Sequence, residues 1–104
     1  MSEKVFYTEI ISALEAMTKK VLITDYLEYK GEFCTLGAWG RACNLDLTVI
    51  TKNYIANIAK VDYDDVLELA NENDQFEGSE AGRWVHMRNY VQSKLDKLED
   101  QVTA

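Results

Sequence analysis

GEFCTLGAWGRACNLDL, residues Gly31–Leu47, departs furthest from the composition of an ordinary surface helix. It holds both cysteines, one of the two tryptophans and three of the five glycines of the chain. Phe33, Leu36, Gly40, Cys43 and Leu47 recur at intervals of three and four, which is one face of a helix. Each glycine costs a helix about 1 kcal/mol relative to alanine, so Gly37 and Gly40 predict close approach by another backbone. The reading is a buried central helix over residues 33–44, preceded by a break at Gly31 and ended by Asn44.

On the N-terminal side, Phe6, Ile10, Leu14 with Ala13, Met17 and Val21 form one apolar stripe over residues 2–21. Glu3 and Glu9 lie early and Lys19 and Lys20 late, which complements the helix dipole. Val21, Leu22, Ile23 and Thr24 are an apolar, β-branched cluster that either extends this helix or makes an extended link. A short helix from Thr24 or Asp25 to Tyr29 is expected next. On the C-terminal side, Asp46 is a cap candidate, and Leu47, Ile50, Tyr54, Ile58 and Val61 continue the three-and-four pattern. The β-branched run 48–51 makes the first turn of that helix doubtful, and a pair of strands near Ile50 is the competing reading.

Asp62 with Asp65 has the spacing of a capping box, followed by an apolar face of Tyr63, Val66, Leu67 and Ala70, which predicts a helix over 63–72. Residues 71–82 lose periodicity and carry Asn, Asp, Ser and Gly, so they read as the longest loop. From Glu80 or Gly82, the residues Trp84, Met87, Val91, Leu95 and Leu98 make the last stripe, ending near Asp100. The sum is an all-α fold, a small irregular bundle of about five helices, in a single domain over residues 1–104.

Composition bounds the function. No apolar run approaches the roughly 18–20 residues that a membrane span needs. The start, MSEKVFYTEI, mixes acidic and basic residues without an apolar stretch, so no signal or transit peptide is expected and a cytoplasmic location is. A formal charge of −7 opposes direct contact with nucleic-acid phosphates and suits a basic protein partner. A helix-turn-helix reading fails for want of a basic recognition helix.

The thiols invite a redox or metal site. On one helix Cys34 and Cys43, nine positions apart, would point to opposite faces with roughly 13 Å of rise between them. That exceeds the Cα separation of about 7 Å that a disulfide tolerates, so reduced thiols are expected, with Cys43 as a small buried residue. Their spacing is not that of a metal knuckle, and His86 does not complete a ligand set, so no metal or cofactor is expected. A nucleophilic Cys34 beside Arg41 lacks an obvious base, and the chain is read as a non-enzyme. A site near Cys34, Arg41 and His86 is the alternative. Trp39 and Trp84 are core residues or, in a homodimer, exposed anchors.

The sharper signal is charge. Between Val61 and Gly82 lie eight acids, Asp62, Asp64, Asp65, Glu68, Glu72, Asp74, Glu77 and Glu80, and no lysine or arginine. A solvated helix face is the plain reading. Residues 71–77 lack the glycine and ligand spacing of a calcium loop. The functional reading is a contact surface that mimics nucleic-acid phosphates toward a basic or nucleic-acid-binding protein.

Phe33-Cys34-x-Leu36-Gly37-Ala38-x-Gly40-Arg41-Ala42, then Glu72-Asn73-Asp74 about thirty residues later, then Arg83-Trp84-x-x-Met87-Arg88-x-Tyr90-Val91, resembles a family of small uncharacterised phage and bacterial proteins. In that family a Cys-x-Leu-Gly-Ala segment is followed by an Asn-Asp pair and a C-terminal helix. The resemblance covers roughly residues 33–92. It implies a phage or mobile-element context, hence the host cytosol, and carries over no catalytic residue. By analogy with small acidic phage proteins, it favours an inhibitor of a host restriction or CRISPR complex.

Overall fold

The computed structural model describes residues 2–103, with side chains from 3 to 99. Five helices dominate it: α1 Ser2–Ala16, α2 Thr35–Ala42, α3 Lys52–Ala59, α4 Tyr63–Gln75 and α5 Glu80–Thr103. A hairpin of two-residue strands, β1 Glu28–Tyr29 and β2 Glu32–Phe33, pairs antiparallel between α1 and α2. The all-α bundle expected from the periodicity is therefore the fold.

Helix α1 packs against both α2 and α5, and α3 and α4 close the remaining side. Phe6, Ile10 and Leu14 of α1 are buried, as their stripe requires, together with Met87, Val91 and Leu95 of α5. Trp39 of α2 fills the centre, 1% exposed, with its ring edge-on to Phe6 at 5.1 Å. Its indole Nε1 donates to Glu9 at 3.1 Å, which satisfies the one polar atom the ring brings inside.

Several boundaries differ from the sequence reading. The α1 helix stops at Ala16, and Lys20 Nζ donates to the carbonyls of Glu15 and Met17 at 3.0 and 2.6 Å. Leu22 and Ile23 then run as an extended, buried link, their N–H groups donating to Glu80 and Phe33 carbonyls. The short helix expected up to Tyr29 is instead the hairpin. Asp25, Lys30 and Gly31 all have positive φ (72, 53 and 81°), values that a right-handed helix cannot contain.

The central helix is shorter than expected: Phe33 belongs to β2, Cys34 is the N-cap and Cys43 the C-cap. Close approach by backbone is as predicted at Gly37, whereas Gly40 faces side chains. A Cβ on Gly37 would lie 1.8 Å from the Leu27 carbonyl oxygen, and one on Gly40 2.7 Å from Leu47 Cδ2. Asp46 does not cap α3. It accepts from Thr48 N and Oγ1 in a local turn, which holds its carboxyl below the usual range, and Thr51 Oγ1 caps α3 by accepting from Tyr54 N. With the start displaced, Ile55 and Ala56 are the buried residues of α3, while Tyr54 and Ile58 stand 44% and 47% exposed. The stripe through Tyr54 and Ile58 is thus not the core face.

Asp62 is the N-cap of α4, but its side chain makes no capping bond, so the expected capping box is not formed. Nor does α4 end at 72: it runs to Gln75, leaving only residues 76–79 between it and α5. The reason is Asn73, 1% exposed, whose Oδ1 accepts from Thr35 N and Oγ1 at 3.1 and 2.8 Å while Nδ2 donates to the Ile23 carbonyl at 2.9 Å. Those tertiary bonds outweigh the weak helix propensity of Asn-Glu-Asn-Asp. The α5 helix begins at Glu80, as expected, and continues past Asp100 to Thr103.

Gly37→Ala is expected to lose about 2 kcal/mol in urea unfolding despite the gain in helix propensity, because backbone rather than side chain occupies the space. Gly40→Ala, facing a flexible leucine tip, stays within about 1 kcal/mol of wild type; equal stability of both variants would deny the close contact with Leu27. Asn73→Ala strands the Thr35 and Ile23 polar groups and is expected to cost at least about 3 kcal/mol by the same measurement.

Candidate functional site

Along α4, positions four apart share a face, so Asp64, Glu68 and Glu72 form one row with Asp65 beside it. The two long acids of that row turn to α5. Glu68 accepts from Tyr90 Oη at 2.6 Å and is ion-paired with Lys94. The Lys94 and Tyr90 hydrogen bonds hold the Glu68 carboxyl below the usual range, while burial and the Glu68 carboxylate push the Tyr90 phenol up. Glu72 meets His86 Nε2 at 2.7 Å, and the imidazole is stacked between Phe76 (4.9 Å) and Tyr90 (6.4 Å).

Asp65 faces the start of α1 instead. Burial first, then the charge and hydrogen bond of Glu3 and the charges of Asp62 and Glu68, raise its carboxyl to about 6. No cation appears among these causes: carboxyl groups crowd one another there. Tyr7, buried beside them, is pushed up chiefly by burial and then by Asp65.

The remaining acids are freer. Asp62, Asp64, Glu77 and Glu80 are exposed and, among the described residues, make no side-chain hydrogen bond or ion pair. Asp74 is exposed as well and accepts from Asn73 Nδ2 at 2.9 Å. The eight acids therefore do not make one continuous free surface. In the middle of α4, Glu68 is paired with Lys94 and Glu72 is hydrogen-bonded to His86, which leaves two acidic poles, Asp62–Asp65 with Glu3 at the start and Asp74–Glu80 at the end. At 1.5 Å per residue the poles stand roughly 18 Å apart.

Cys34, Arg41 and His86 are not brought together. Cys34 is the α2 N-cap, its Sγ accepting from Gly37 N at 3.3 Å, and lines a cavity with Leu36 and Asp74. Burial pushes its thiol up, away from the nucleophilic form. Arg41 lies over the Phe33 ring at 5.6 Å and lines a different cavity, between α1 and the hairpin. His86 borders neither. Cys43 is exposed rather than buried, because it caps α2 where the chain turns outward, and both thiols are free. Trp84 is half-buried with Nε1 donating to the Leu14 carbonyl at 3.1 Å, and Lys20 sits over its ring. No set of three or more His, Cys, Asp or Glu among the described residues is arranged to hold a metal ion.

Sequence reasoning missed Arg83, 8% exposed. Its guanidinium donates to the carbonyls of Asn73 (2.9 Å), Leu22 (3.1 Å) and Phe76 (2.9 Å), and among the described residues it has no carboxylate partner. The available signal was its position: it falls one residue before the apolar stripe beginning at Trp84, four before Met87, hence on the inner face of α5. No helix among the described residues is long and apolar enough to cross a membrane. No family model, no curated protein and no solved structure matches the chain.

The sign of the Asp65 effect is testable. With a folded value of about 6 against about 3.9 unfolded, the folded state holds this proton more tightly. The contribution to stability is thus full below about pH 4, falls as pH rises to about 6 and is flat above. Asp65→Asn is expected to melt at higher temperature than wild type above pH 6 and to lose that advantage near pH 4. A variant no more stable at pH 7 than at pH 4, relative to wild type, would remove the carboxyl crowding.

Proposed function

We propose that this chain is an acidic protein-binding module of the cytosol. Its partner is a basic, nucleic-acid-handling protein whose phosphate-binding surface the two poles of α4 occupy. The observation that supports this reading is the exposure of Asp62, Asp64 and Glu77 without any intramolecular cation, in a segment that contains no lysine or arginine. A protein that folds with α5 cations available, yet leaves these carboxylates unpaired, keeps negative potential for something outside itself. Steering by such potential speeds association with a positive groove, and makes it salt-sensitive.

The resemblance to small phage proteins narrows the setting to a stoichiometric inhibitor of a host defence complex, of the restriction or CRISPR kind. Such a role needs no cofactor and no catalytic group. It needs carboxylates held at fixed separation, which a helix capped by tertiary bonds supplies.

The test is a comparison of immobilised wild type with an Asp62→Asn, Asp64→Asn, Glu77→Gln triple variant in bacterial lysate. Asp62 is exposed and makes no side-chain capping bond, so asparagine there leaves folding intact. Wild type is expected to retain nucleic-acid-binding proteins that are released by rising salt and by competing duplex DNA. The triple variant is expected to retain them at least about tenfold less. Equal retention by both proteins, or retention indifferent to salt and DNA, refutes the reading.

A further inference from the structure

A cavity of about 350 Å³ opens where residues 25–27, the start of α2, the first turn of α3 and the end of α4 meet. That is a volume typical of a site for a small group. Its floor is apolar, with Leu36, Ile50 and Ile55, and two carboxylates from different elements line it, Asp25 from the link before the hairpin and Asp74 from α4. Asp25 is held at φ 72°, and its Oδ2 is in contact with Thr24 Oγ1 at 3.3 Å. Asp74 accepts from the Asn73 amide through Oδ1. Among the described residues, each carboxylate keeps its second oxygen without a partner. Tyr26, 58% exposed, also lines the cavity, and its ring is stacked on Tyr29 at 5.1 Å.

The geometry points to a socket for an arginine side chain carried by the basic partner. Arginine matches each wall in turn: an aliphatic stem for the leucine and isoleucine floor, and a planar guanidinium whose several donors reach two separate carboxylates. The guanidinium plane also stacks on a tyrosine ring. A lysine, a point charge with three donors, uses the carboxylates but not the ring plane as well. Lys52 also lines the cavity, without an ion pair, and as a like charge it opposes the occupant. Anchoring by one desolvated arginine is the common way a charged interface gains specificity that long-range attraction does not provide. The inference rests on the proposed function only for what carries the arginine; the socket itself stands on the cavity.

The probe is N-acetyl-arginine methylamide, titrated into the ¹⁵N-labelled protein, with the citrulline analogue as an uncharged isostere. Shifts are expected for the amides of Asp25, Tyr26, Thr51 and Asp74, with the citrulline analogue at least about tenfold weaker. Asp25→Asn, which tolerates the left-handed backbone, and Asp74→Asn are each expected to weaken the arginine probe about tenfold. Lys52→Gln is expected to strengthen it. Equal binding of the citrulline analogue, shifts confined to the Asp62–Asp65 pole, or loss of binding in Lys52→Gln would each overturn the socket. In the lysate comparison, Asp25→Asn is expected to reduce retention. Partner retention unchanged in Asp25→Asn but lost in the triple variant would overturn the socket alone. Arginine binding in the cavity with no salt-sensitive partner would uphold the socket and overturn the proposed function.

Discussion

One buried amide, that of Asn73, joins parts of the chain that are far apart in sequence. Its oxygen takes both the N–H and the hydroxyl of Thr35 at the start of α2, and its nitrogen gives to Ile23 in the extended link. Arg83 completes the junction from α5 by donating to Asn73, Leu22 and Phe76 carbonyls. A buried guanidinium without a carboxylate is costly unless its donors are met, and here three carbonyls that no helix or strand uses meet them. The two requirements offset each other: orphan carbonyls of the link and of the α4 end need donors, and the arginine needs acceptors. Loss of either side leaves the other unsatisfied, which makes this polar junction more exacting than the apolar contacts around it.

The junction has consequences for packing. With the link pinned at Leu22 and Ile23, the chain that follows passes so close to α2 that only glycine fits at position 37, against the Leu27 carbonyl. The same pinning sets α4 with its last turn ordered, so that Asp74 is presented beside the cavity instead of swinging on a loop. On the opposite face of α4 the partner is α5, and its Lys94, Tyr90 and His86 take up Glu68 and Glu72. Exposed ion pairs of this kind add little stability. Their larger effect is on the pattern of charge, since Lys94 offsets Glu68 in the middle of the acidic stretch while, among the described residues, the ends carry no ion pair.

The long elements were legible because their periodicity is unambiguous. The stripes Phe6–Ile10–Leu14 and Met87–Val91–Leu95 are buried in the bundle as read, and Gly37 of α2 marks a close backbone approach as expected. What escaped the sequence was decided by partners distant along the chain. Asn73 in a run of polar residues looks like a loop until Thr35 and Ile23, 38 and 50 positions away, are brought to it. Tyr54 and Ile58 satisfied a helical stripe, but the face of α3 that packs against α4 and α1 is the one carrying Ile55 and Ala56. The acid row was legible as composition, but its division into poles was not, because that depends on which α5 side chains stand opposite.

The two poles differ in chemistry as well as position. At the first, Asp65 is crowded by Glu3 and Asp62 and its own carboxyl titrates near pH 6, so the pole offers attraction without a shaped recess. At the second, Asp74 stands over an apolar cavity beside Asp25 and an aromatic wall, where a cation can be desolvated and held by direction as well as by sign. Diffuse attraction falls off within about a Debye length and governs how fast partners meet, whereas a desolvated, hydrogen-bonded charge governs how long they stay. The Asn73–Arg83 junction orders the last turn of α4 and so fixes where Asp74 stands against the cavity.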